Sequence, residues 1–97
     1  MNNILYNDRE KSRVIYLGYD IKLSKKEYKI FCCIEDSGKE YISAQNIIDT
    51  CYPNKKPQKG NIATHICHIN EKAANISRQR TLIVSKYGIG YKITENP

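Results

Sequence analysis

The sequence predicts an α+β fold: antiparallel strands first, three helices next, a β-hairpin last. Two observations carry this. In Asn61-Ile-Ala-Thr-His-Ile-Cys-His-Ile-Asn-Glu-Lys-Ala-Ala74 the apolar residues Ile62, Ile66, Ile69 and Ala73 recur at helical spacing on one face. In 82–94, two β-rich segments flank Gly88-Ile89-Gly90, the pattern of a tight hairpin. Length adds a bound, since 97 residues make one small domain, 1–97, with a modest core and no room for a large cleft.

The elements follow in order. Ile4–Tyr6, Arg13–Leu17 and Asp20–Leu23 are short and rich in β-branched and aromatic residues. Polar residues 7–12 and the Gly18-Tyr19 turn separate them, so they read as a small antiparallel sheet. Ser24-Lys-Lys-Glu27 is a capping box, in which the serine hydroxyl and the glutamate carboxylate each satisfy the other's backbone N–H. The helix it opens runs to about Asp36, buries Tyr28, Phe31, Cys32 and Ile34, and ends at Gly38. Ser43 caps a second, short helix that turns Ile47, Ile48 and Cys51 inward and stops before Pro53. Two prolines and a glycine make 52–60 a loop. The third helix spans about Asn61 to Asn75, and after a polar connection at 77–81 the hairpin pairs 82–86 with 91–94.

Composition excludes several classes. Hydrophobic content of 40% with 27% charged residues is globular rather than disordered. No apolar run approaches the ~18 residues that span a bilayer. The N-terminus lacks a basic segment and a long apolar segment, so it is not a signal peptide, and a cytoplasmic location is expected. Cys32, Cys33, Cys51 and Cys67 have neither zinc-type spacing nor a secreted disulfide pattern, and are read as reduced, packing thiols. No nucleophile, base and orienting group stand together, and no phosphate loop is present, so no enzyme activity and no cofactor are expected. Gly88-x-Gly90 sits within a hairpin, not between a strand and a helix, and is not a nucleotide fingerprint.

Charge is more telling. The net charge is +6, yet residues 1–54 hold eight Lys/Arg against eight Asp/Glu. Residues 55–92 carry Lys55, Lys56, Lys59, Lys72, Arg78, Arg80, Lys86 and Lys92 against Glu71 alone. The excess cations thus share a segment with the amphipathic helix and the hairpin. Such asymmetry fits a polyanion partner; a solvated basic face kept for solubility is the bland alternative. The helix's polar face carries Asn61, Thr64, His65, His68 and Lys72, side chains able to bond base edges and phosphates. A helix of this kind beside a basic hairpin suits double-stranded DNA, with the helix in the major groove and the hairpin on the flanking backbone.

Element order and specific residues resemble the winged helix-turn-helix output domain of OmpR/PhoB-type response regulators. The resemblance runs from about Val14 to Thr94. It rests on Leu17-Gly-Tyr-Asp-Ile-Lys-Leu-Ser-Lys-Lys-Glu-Tyr28, Ser43-Ala-Gln-Asn-Ile-Ile-Asp49, Asn61-Ile-Ala-Thr-His-Ile66 and Gly88-Ile-Gly-Tyr91. The last two match most specifically, to an Asn/Arg-x-Val-x-Val-His-Ile helix start and an Arg-Gly-x-Gly-Tyr wing. The same fold heads membrane-anchored regulators resembling ToxR and CadC. The resemblance implies sequence-specific binding of promoter DNA in bacterial transcription regulation, commonly within a two-component system. In such proteins the third helix lies in the major groove and the wing touches the minor groove or backbone. It further implies that the 52–60 loop can meet RNA polymerase and that the domain can dimerise on DNA. No small-molecule substrate is implied. The chain has no space for a receiver domain, which leaves three forms: an excised domain, a stand-alone regulator, or the cytoplasmic head of a regulator whose membrane segment lies outside this chain.

Departures from the family pattern matter too. Cys67, His68 and Asn70 stand where relatives carry arginines, and Tyr87 stands where the wing often has one. The alternative function is therefore an interaction module that binds another regulator with little DNA affinity. The expected DNA-binding set has three parts. Asn61, Thr64 and His68 are base-contact candidates. His65 takes the family's phosphate-contact position or packs half-buried against a neighbouring helix. Lys59, Lys72, Lys86 and Lys92 are phosphate candidates, with Ser85, Tyr87 and Tyr91 around the wing. Tyr91 also packs the hairpin onto the core. No metal site is expected, because His65 and His68 supply two ligands at i and i+3 while Cys67 points elsewhere.

Overall fold

The computed structural model describes residues 4–94 except 39, 55–56 and 79–80. Strands β1 (Leu5–Asp8), β2 (Arg13–Tyr16) and β3 (Tyr19–Asp20) form an antiparallel sheet in that order. Leu5 faces Tyr16 and Asp8 faces Arg13, so β1 extends further than the expected Ile4–Tyr6. Period-two alternation turns Val14 and Tyr16 into the core. The third strand is shorter and earlier than the expected 20–23. Lys22 has φ +57, and its N–H donates to Asp20 Oδ1 at 2.7 Å, a local turn that ends the ladder and aims the chain at the first helix.

Helix α1 (Lys25–Asp36) begins with both arms of the capping box. The Glu27 N–H donates to Ser24 Oγ (3.2 Å) and the Ser24 N–H donates to Glu27 Oε1 (2.8 Å). Its buried apolar side is Ile30, Phe31, Cys33 and Ile34. Tyr28 and Cys32, expected there, are half-buried instead. They occupy the flank beneath β1, where the Tyr28 hydroxyl donates to Asn7 Oδ1 (2.7 Å) and Asn7 Nδ2 donates to Glu35 (2.8 Å) and approaches Cys32 Sγ (3.4 Å). Gly38, at φ +71, closes the helix as expected.

Helix α2 (Ala44–Cys51) is capped by Ser43, whose hydroxyl accepts from the Asn46 N–H, and it buries Ile47, Ile48 and Cys51. Burial, with Cys33 beside it, pushes the Cys51 thiol up to about 12, which suits a packing role. Helix α3 (Lys59–Ala74) starts at Lys59, two residues before the expected Asn61, and its N-cap, Gln58, makes no side-chain cap bond. Ile62, Ile66, Ile69 and Ala73 are all buried and meet α1 and α2 around Phe31 and Ile47.

The hairpin consists of β4 (Ile83–Lys86) and β5 (Gly90–Ile93), paired from Ile83↔Ile93 to Lys86↔Gly90. Its tip is Tyr87–Ile89, so Gly90 belongs to the strand and not to the turn. Gly90 is needed there for another reason. At φ +150 it passes so close to the 42–43 backbone that a Cβ would overlap the Ile42 carbonyl oxygen. That approach lets Ile42 and Tyr91 exchange two backbone hydrogen bonds (2.8 and 2.9 Å), which dock the hairpin onto the α1–α2 connection. No helix among the described residues is long and apolar enough to cross a membrane.

Candidate nucleic-acid interface

Helix α3 presents three surfaces besides its buried stripe. Opposite that stripe Gly60, Thr64, Cys67, His68 and Glu71 are exposed. Toward α1, Asn61, Thr64 and His65 border a groove whose far wall carries Lys25, Lys26 and Lys29. Toward the wing, Cys67 and Asn70 border a second groove with Arg78, Ser85 and Tyr91. A third concavity joins the start of α3 to the wing: Lys59 lies across from Ser85, Lys86 and Tyr87, with Ser43–Gln45 as its floor.

The expected residues therefore fall into groups. Lys59, Ser85, Lys86, Tyr87 and Tyr91 are gathered in one concavity. Asn61 and Thr64 are exposed at the edge of the α1 groove. The Thr64 hydroxyl donates to the Gly60 carbonyl (3.0 Å), which leaves its oxygen able to accept a further bond. His65 is half-buried against α1, the second of its two expected placements. Tyr87 is fully exposed at the tip, and the neighbouring Ile89 is half-exposed. Tyr91 is half-buried in the bridge to Ile42, the docking role read for it from sequence. Lys86 and Lys92 hold their ammonium groups 5.9 and 5.0 Å from the Tyr41 ring, which gathers two cations beside the hairpin.

Lys72 sits apart from these. Its ammonium donates to Glu27 Oε1 (2.5 Å) and to the Lys22 carbonyl (3.3 Å), and so bolts α3 to the start of α1. Glu27 is 5% exposed. Burial alone would raise its carboxyl pKa, but the Lys72 ammonium and the Ser24 N–H outweigh it and hold the group below the usual carboxylate value. His68 Nδ1 lies 3.8 Å from Glu27 Oε2.

Three features escaped the sequence reading. Lys25, Lys26 and Lys29 come from the half of the chain that is neutral overall, yet they flank α3. The signal was their clustering in and just after the capping box, which charge totals average away. Asn70 is not free to read bases: its amide donates to the Ile83 carbonyl (3.0 Å) and accepts from the Ile83 N–H (2.9 Å), in the manner of one more β-strand residue. Glu27 joins His65 and His68, with ligand atoms within 4.8 Å of one another, so the set is larger than the two ligands on which the expectation of no metal site rested. Lys55, Lys56 and Arg80, counted in the basic segment, lie outside the described residues, as does part of the loop expected to meet RNA polymerase.

The family model described as the C-terminal domain of transcriptional regulatory proteins matches residues 18–93. The chain belongs to this family. It is a DNA-binding domain of transcription regulation and not an enzyme. Solved structures of regulator domains share the fold. The DNA-binding domain of response regulator AdeR, solved in complex with an intercistronic region, is 18% identical, with a TM-score of 0.82 over 100% of this chain and 99% of that one. The DNA-binding domain of Escherichia coli CadC is 12% identical, with a TM-score of 0.81 over 94% of this chain and 86% of that one. DrrB, an OmpR/PhoB homologue from Thermotoga maritima, is 20% identical, with a TM-score of 0.80 over 97% of this chain. The regulator domain described here spans 43% of the length of DrrB. No curated protein matches it in sequence. At these identities the structural neighbours establish the winged-helix fold, and the side chains of this regulator domain carry its chemistry.

Proposed function

We propose that this domain binds double-stranded promoter DNA sequence-specifically, with α3 in the major groove and the β4–β5 wing on the flanking backbone or minor groove. The observation that carries the reading is the arrangement of cations on both sides of α3. Lys25, Lys26 and Lys29 flank one side, while Lys59 and Lys86 face each other across the concavity on the other. A duplex lying along α3 would meet phosphate-neutralising groups on each flank. Between them, Asn61, Thr64 and His68 are exposed on the helix. Asparagine can pair with adenine, threonine with a thymine methyl, and histidine with guanine. Tyr87, fully exposed at the wing tip, reaches the backbone or minor groove.

Wild type, Lys86→Ala and Tyr87→Arg are compared by fluorescence titration at two salt concentrations, against a duplex selected from a random pool and its scrambled version. Lys86→Ala should weaken binding to both duplexes, and Tyr87→Arg should strengthen it, with less change in their ratio because α3 reads the bases. If selection enriches no sequence and neither substitution changes binding, the fold serves instead as an interaction module for another regulator.

A further inference from the structure

We propose that Glu27, His65 and His68 form a binding site for a divalent transition-metal ion of the zinc type, with at least one coordination position left open. The three side chains come from two helices, α1 and α3, and their ligand atoms all lie within 4.8 Å of one another. His65 and His68, at i and i+3, project from one face of α3, and the carboxylate stands across from them at the start of α1. Tetrahedral coordination with metal–ligand bonds of about 2.0–2.1 Å sets ligand atoms about 3.4 Å apart. The pair His68 Nδ1 and Glu27 Oε2, at 3.8 Å, is close to that spacing already. Small rotations of exposed His68 and half-buried His65 bring the set together, while Glu27 stays fixed.

What fixes Glu27 is part of the site. Oε1 accepts from the Lys72 ammonium and from the Ser24 N–H, so the carboxylate is held in one orientation and Oε2 is turned toward His68. Partners that orient a ligand in this way raise a site's affinity. The Lys72 charge acts against this by repelling a cation, which makes the site one of moderate affinity. Two imidazoles with one carboxylate suit Zn²⁺ and its neighbours; Mg²⁺ and Ca²⁺ favour all-oxygen sites. Both imidazoles lie on the helix proposed above to meet DNA, and His68 is one of its proposed base contacts, so an ion and a duplex compete for His68. That consequence rests on the DNA proposal, whereas the site does not.

The test uses Co²⁺, whose visible d–d bands report its geometry, on protein without nucleic acid. Cys67→Ser serves as the background, to remove the exposed thiol on the same helix. Saturable tetrahedral or five-coordinate bands should appear, vanish on adding Zn²⁺, and show affinity lowered at least about tenfold by His65→Ala and by His68→Ala. Far-UV circular dichroism checks that both variants stay folded; Glu27 is left intact because it also caps α1. The site is refuted by the absence of a saturable band, by unchanged Co²⁺ affinity in either histidine variant, or by a near-UV thiolate band that assigns the ion to cysteine.

Discussion

At Glu27 one carboxylate serves two elements: it completes the cap of α1 and receives the ammonium of Lys72 from α3. The cap was legible, because Ser24 and Glu27 are three residues apart and the chemistry is local. The Lys72 contact was not, since the partners are 45 positions apart and an exposed-looking helical lysine carries no sign of where its chain bends. Lys72→Ala should therefore destabilise the fold by about 3 kcal/mol, by leaving a buried carboxylate unpaired. The sign with pH follows. The folded-state pKa of Glu27 lies below its unfolded value, so the carboxylate stabilises the fold above the unfolded value and loses that contribution as pH falls through the folded one. Removing Lys72 should move the acid unfolding transition to higher pH. Urea melts of both proteins between neutral and acidic pH measure this, and equal acid transitions would show that the pair contributes nothing.

Among the elements, α3 follows its sequence pattern on its inner side, while neighbours distant in sequence occupy part of its outer side. Periodicity locates the stripe Ile62, Ile66, Ile69 and Ala73, because burial imposes that period. It does not say what flanks the stripe, and here α1 covers His65 and Lys72 while β4 claims Asn70. Ile69→Ala should cost roughly 2–5 kcal/mol through the cavity it opens, seen as a lower thermal midpoint. The hairpin shows the same limit. Its two strands were legible from β-rich segments around glycines, but the contact that requires Gly90 lies with Ile42, far away in sequence. Gly90→Ala should cost more than about 2 kcal/mol, through strained backbone and loss of the Ile42–Tyr91 bridge. Asn70→Ala should cost about 1–3 kcal/mol by stripping two bonds from Ile83. Hydrogen exchange separates the two: Gly90→Ala should deprotect the Ile42 and Tyr91 amides, Asn70→Ala the Ile83 amide. An amide pattern identical to wild type in both would remove these docking roles.

Across the whole molecule, element order and the winged fold followed from the sequence, because strands, caps and amphipathic faces are each set locally. The distribution of charge did not. Totals along the chain put the excess cations in 55–92, whereas folding also brings Lys25, Lys26 and Lys29 to the helix. The proposed placement of a duplex along α3 sets phosphates on both sides of the helix. The slope of log affinity against log salt for wild type, Lys59→Glu and Lys26→Glu on one selected duplex tests that placement. Each lysine lies on a different flank and is exposed. Wild type should show the steep slope of several neutralised phosphates, and each variant should bind more weakly with a slope shallower by about 0.9, one phosphate's worth. Slopes and affinities unchanged in both variants, or binding insensitive to salt in the wild type, would show that no duplex lies there.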